Sequence, residues 1–326
     1  MSRLNSNTRW LAGTVWMSLS LTIACGGDME EEGTATPGDE PLAVSAATTG
    51  GEYQRPADSV PTDSGDTLYF VAERTEGGSS VFSVPGEGGE ATDLLPGTSL
   101  LVSPRGVDLS TDGTRLYVAD PDLMDGQGGI VMVVLDTQTV ALVSGTEGTT
   151  PRALDVVPGA VGDVIYFAGT VPGSDDAAIL NIPAEGGTAT TVVSGNGLVT
   201  PDGVAADSSG ALYIVDRDSA GPGQGQLLRY SGQMEILVSD ILPGAPAGVA
   251  VTTDNSTVVV SAIDREKGTD EVLLVKTQDM SVYHFTEVVG ANTSAGGVHR
   301  APGRDVFAWA DSTAGGRGMV YRINPN

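Results

Sequence analysis

The chain has 326 residues, enough for one large domain or two ordinary ones, with 40% apolar but only 5% aromatic residues, a mixture that suits short strands and tight turns. With 42 acidic residues against 16 basic ones the net charge is −26; such a chain repels nucleic acid and anionic headgroups and leaves cationic proteins, divalent metals and neutral ligands as partners. The one cysteine, Cys25, excludes an intramolecular disulfide and a thiolate metal cluster.

Residues 1–9 carry Arg3 and Arg9 and no acid, and residues 10–24 (WLAGTVWMSLSLTIA) are uncharged and largely apolar up to Cys25. This is the layout of an export signal, too short for a comfortable membrane span. Ala24 followed by Cys25 resembles the processing site of bacterial lipoprotein signal peptides, although Thr22 stands where that pattern prefers Leu, and Leu21 lies one residue upstream. The resemblance implies a signal peptide over 1–24, acylation of Cys25 and, with Gly rather than Asp at position 26, a lipid-anchored place in the cell envelope at the outer membrane, periplasmic or surface-exposed. Acyl chains bind at ~0.8 kcal/mol per buried CH₂, so two or three of them hold stably. Residues 25–40 are acidic, contain Gly and Pro and lack large apolar side chains other than Met29, which predicts a flexible tether.

From residue 41 onward a block recurs: Pro, usually then Gly-Val, a polar turn with Asp or Gly, and an apolar-aromatic strand. SPRGVDLSTDGTRLYVAD (103–120) and TPDGVAADSSGALYIVD (200–216) are its clearest copies. The strand anchors Leu68, Leu116, Ile165, Leu212, Val258 and Phe307 follow one another at intervals of 48, 49, 47, 46 and 49 residues, a regularity that signals a repeat architecture. Each repeat divides into four short segments bounded by Gly, Pro, Asp or Ser, and none shows sustained helical periodicity. Six four-stranded antiparallel units predict an all-β, six-bladed β-propeller over residues 41–326. The sixth repeat ends after GMVYRI (318–323), without an outermost strand. By the same spacing PLAVSAA (41–47) supplies it, so an N-terminal strand closes the ring.

LYVAD (116–120), LYIVD (212–216) and the P-x-G-V openings resemble the NHL, TolB-like and gluconolactonase-type propellers, with the related YVTN-type surface repeats. That likeness implies the fold and carries no activity with it. In such propellers the loops between the second and third strands share a face with the blade-to-blade connections. Here those loops hold 14 acids and 5 bases, and they mark the expected binding face.

On that face Asp120, Asp216 and Asp311 end the second strands of alternate repeats, either as cation ligands, Ca²⁺ above all, or as strand-end caps. Asp202 matches the place of a metal ligand in gluconolactonase-type propellers, but the equivalent residues Ala57, Arg105, Arg152, Ala247 and Gly296 supply no second carboxylate. Arg105 and Arg152, from adjacent repeats, suit a carboxylate or phosphate group, unless each pairs with a neighbouring Asp. His284 and His299 have no neighbouring Cys, which argues against zinc, and Trp309 reads as core. The expected function is a noncatalytic binding module for a protein, glycan or cell-wall component, with no nucleic acid and no membrane contact beyond the lipid. A Ca²⁺-dependent lactonase-type hydrolase and a periplasmic calcium or ligand sensor are the alternatives.

Overall fold

A computed structural model describes residues 42–285 and 294–325. The expected signal peptide, Cys25 and the expected tether lie outside these residues. Six four-stranded antiparallel sheets follow one another along the chain. The second comprises Gly106–Leu109, Arg115–Asp120, Gly129–Val134 and Thr139–Leu142. The innermost strands of the six are Tyr53–Pro61, Gly106–Leu109, Ala153–Pro158, Pro201–Ala206, Val249–Val251 and Ala295–Arg300. Each packs beside the next, and the last packs beside the first, so the sheets form the blades of a six-bladed propeller.

The six sequence anchors lie in the second strand of each blade and are all buried. They sit within six apolar clusters, each shared between two consecutive blades. Complete burial of one such side chain is worth ~1.5–3 kcal/mol. The cluster between blades six and one is aromatic, with Tyr53 edge-on to Phe70 at 5.0 Å and Phe70 stacked on Phe82 at 5.3 Å. Trp309 is buried in the adjoining cluster and stacks on Tyr321 at 5.1 Å.

The Gly-Val openings have a packing cause. Gly203 and Gly297 lie on inner strands and Gly248 immediately precedes one, where a Cβ would approach the neighbouring blade to 2.6 Å (Ala247 O), 1.8 Å (Asp58 Oδ1) and 2.4 Å (Val298 N) respectively. Only glycine lets the inner strands come this close. In blade one the same register position is Asp58, which pairs with Val71 as Gly203 pairs with Val215.

The ring closes through the N-terminal strand. Leu42–Ala46 pairs antiparallel with Met319–Pro325 and becomes the outermost strand of blade six. The chain then runs on as Thr48–Gly50, parallel to Gly89–Glu90 of blade one. Ala47 N–H donates to Val320 O at 2.8 Å, and the Tyr53 hydroxyl donates to Gly318 O at 3.1 Å. Deleting residues 42–50 exposes the edge of Met319–Pro325 and uncovers Val320, so the single cooperative melt followed by circular dichroism should be lost. An unchanged transition would show that the closure carries no stability.

Candidate functional site

The inner strands carry titratable side chains where apolar ones would be expected. Asp58, Asp108 and Asp155 belong to blades one, two and three, and each accepts a hydrogen bond from a main-chain N–H of the next blade: Val107 at 2.8 Å, Val156 at 2.7 Å and Ala206 at 2.7 Å. The carboxylates thereby fasten neighbouring blades, satisfying amides that the short inner strands leave unpaired. Between blades five and six Ser261 takes this part, donating to Gly296 O at 2.6 Å and accepting from Gly248 N–H.

His299 of blade six completes the circuit. Its Nε2 lies 2.9 Å from Asp58 Oδ2, across the closing interface, and its Nδ1 lies 3.9 Å from Asp108 Oδ1. One ligand atom from each of Asp108, Asp155 and His299 falls within 4.8 Å of the others, the one such three-residue grouping among the described residues, and this Asp/His group could hold a metal ion. A cavity of about 90 Å³ opens onto all three, beside Arg300.

Burial opposes charge on His299, but Asp58, then Asp108 and Asp155, overcome it and lift its pKa to about 10. Burial pushes Asp108 up to about 7 against the opposing pull of His299, and burial raises Asp155 as well. The group is therefore centred on a charged imidazolium. Its stabilisation by a charged His299 is complete below the ordinary histidine range and is lost as pH rises through about 10.

Beside that small cavity, at the same end, lies one of about 510 Å³ lined by Tyr166, Asp207, Asn255 and Arg300, among others; the other end of the channel carries one as well. A cavity of about 450 Å³ is lined by Arg55, Glu73, Ser79, Ser103, Arg105 and Ser312, among others. Arg55, Glu73 and Ser79 come from the ends of the first three strands of blade one, Ser103 and Arg105 from a blade-to-blade connection and Ser312 from a loop between second and third strands; such loops and connections do share a face, since Asp120, at the end of a second strand, accepts from Val102 N–H at 2.7 Å in the preceding connection.

The residues expected as metal ligands are dispersed. Asp202 is buried and paired with Arg217 at 3.0 Å. Asp120 accepts from the amides of Val102, Ser103 and Asp122, Asp216 from those of Val199, Thr200 and Asp218, and Asp311 from those of Thr313 and Ala314. Each orders its own loop, as a strand-end cap does. Neither Arg105 nor Arg152 has a side-chain hydrogen bond or ion pair among the described residues; Arg105 lines the wide cavity and Arg152 does not. Asp58, Asp108 and Asp155 escaped the sequence reading, although an Asp in four of six inner strands, Asp202 included, was a visible departure from apolar alternation; His299, with no neighbouring Cys, reads in the sequence as no zinc ligand.

Asp311 has one further neighbour. Asp270 opens the third strand of blade five, and its carboxyl is buried beside that of Asp311. Burial, and then the adjacent Asp311, push the Asp270 pKa up to about 8, so near neutrality it keeps its proton.

No protein-family model matches the sequence, and no curated protein matches it. Solved structures do, at the level of fold. An aldose sugar dehydrogenase from Streptomyces coelicolor, in its PQQ-bound form, superposes with a TM-score of 0.62 at 14% identity over 87% of this chain and 98% of that one. A gluconolactonase from Xanthomonas campestris gives 0.57 at 15% identity over 84% and 88%. TolB from Acinetobacter baumannii gives 0.53 at 13% identity over 84% and 64%. Proteins of unlike function share this architecture, so activity must be argued from the site.

Asp270 supplies a test of the buried chemistry. Its folded pKa lies above the unfolded value of ~3.9, so the native state holds a proton that the unfolded chain releases. The cost is nil below the unfolded pKa and grows as pH rises toward about 8. Asp270→Asn should match the wild type near pH 4 and exceed it in urea unfolding by a margin that widens to pH 9. A margin independent of pH would contradict the assignment.

Proposed function

We propose that this chain is an exported, lipid-anchored binding propeller of the cell envelope, noncatalytic, whose working face carries the loops between second and third strands. The reading is supported chiefly by the cavity of about 450 Å³ at that mouth of the channel, within the ~300–1,000 Å³ range of ligand pockets. It draws residues from blades one, two and six and from the connection at Ala245.

Its charge pattern points to the partner. The rim loops are acid-rich, while Arg105 offers an uncommitted guanidinium inside the cavity. Arg55, at the same mouth, is paired with Glu73. A cell-wall component that bears both amines and carboxylates meets the two demands at once: amines against the loops, and a carboxylate against Arg105. The lipid on Cys25 would hold the propeller at the envelope surface where such material lies. The lactonase-type alternative relied on Asp202, whose carboxylate is paired with Arg217 in this structure.

Purified full chain should co-sediment with isolated cell-wall sacculi, less so at high salt. A charge-assisted hydrogen bond is worth ~1.5–3 kcal/mol, so Arg105→Ala should weaken this binding roughly tenfold or more. Binding unaffected by Arg105→Ala would remove the cavity from the reading. Cys25→Ser should separately shift the protein from the membrane fraction to the soluble one, measured by immunoblot after fractionation.

A further inference from the structure

We propose that His299, Asp108 and Asp155 form a binding site for one divalent transition-metal ion of the zinc or manganese type, entered from the face of the turns between first and second strands. The site lies at the opposite end of the channel from the proposed binding face and does not depend on that reading.

The first support is the state of His299. The ring is buried, and Nε2 is held by Asp58 at 2.9 Å, while Nδ1 makes no hydrogen bond among the described residues and faces Asp108 Oδ1 at 3.9 Å. A carboxylate on one ring nitrogen with the other left open is the arrangement of a metal-binding histidine: the carboxylate fixes the tautomer and raises the basicity of the free nitrogen. Asp58, standing where blades two, four, five and six carry glycine, is placed to do this.

The donors are close enough and already oriented. Metal–ligand bonds of ~2.0–2.2 Å set donor atoms roughly 3–4 Å apart, and the three ligand atoms here lie within 4.8 Å of one another with no ion between them. Asp108 Oδ2 and Asp155 Oδ2 are held by the amides of Val156 and Ala206, which fixes both carboxylates from behind. The cavity of about 90 Å³ in front leaves room for water on the ion.

Charge and donor type select the ion. Three carboxylates face one imidazole, and the nearby guanidinium of Arg300 is committed to main-chain carbonyls, with Val251 O and Ala301 O each at 2.6 Å. A dication on Nδ1 in place of a proton brings the group closer to neutrality. Calcium and magnesium favour all-oxygen sites, whereas imidazole suits zinc and its first-row neighbours, and the two carboxylates extend the range to manganese.

The test uses the purified full chain without a histidine tag, stripped with EDTA and titrated with Co²⁺, then with Zn²⁺, Mn²⁺ or Ca²⁺ as competitor. One equivalent of Co²⁺ should give visible d–d bands that Zn²⁺ abolishes and Ca²⁺ does not. His299→Ala should eliminate the bands, and Asp58→Asn should weaken Zn²⁺ binding about 10–100-fold. Because both residues also fasten the ring, Asp155→Asn is the decisive variant: its amide oxygen still accepts from Ala206, so the fold should persist while the metal is lost. Absence of stoichiometric bands in the wild type, bands unchanged in a folded Asp155→Asn, or equal competition by Ca²⁺ would each overturn the assignment and leave the cluster as a blade fastener alone.

Discussion

The structure depends on closure between the first blade and the sixth. A twisted four-stranded sheet exposes two apolar faces, and neither is covered until a neighbour packs on each side. Five of the six interfaces form between blades consecutive in sequence. The sixth must join blade six to the opposite end of the propeller chain, against the entropy of closing a loop of well over two hundred residues. Several independent interactions converge there: the exchanged strand Leu42–Ala46, the aromatic group of Tyr53, Phe70 and Phe82, Arg317 over the Tyr53 ring at 4.9 Å, and the pair of His299 with Asp58.

That closure also creates the candidate site. Asp58 and His299 are 241 residues apart and meet only because the ring is complete. The one titratable residue of blade six's inner strand that enters the cluster therefore faces the carboxylates of blades one to three. Stability and chemistry share the same side chains, so a metal seated on Asp108, Asp155 and His299 would brace the interface on which every other blade relies. Other acids do related work at the rim: Asp63 accepts from Gly303 N–H of blade six, and Asp305 from Thr253 N–H of blade five, each at 2.7 Å. A considerable part of the acidic surplus is thus internal fastening, which narrows how much of the net charge addresses a partner.

The two mouths of the channel differ in kind. One is polar and served by long acid-rich loops, with Arg105 lining its cavity; the other is backed by a buried His/Asp cluster and opens beside a second cavity of about 510 Å³. Blades supply a rigid frame on which loops and channel residues vary independently.

The architecture was legible in the amino-acid order, because a blade is a local object: four strands within about 48 residues, with Leu68, Leu116 and their counterparts at a constant interval and Gly-Val where inner strands must nearly touch. Even the exchanged strand could be placed by counting. The candidate site was not legible in the same way. Asp202 matched a ligand position by resemblance while its partner Arg217 went unseen, and His299 looked isolated because its partners Asp58, Asp108 and Asp155 belong to other blades. The sequence by itself determined the blades, their number and the strand that joins the ends, since these follow from short-range patterning. Only the tertiary structure decided which acids fasten amides, which pair with arginine and which gather around an imidazole, since those distances exist only once the ring has closed.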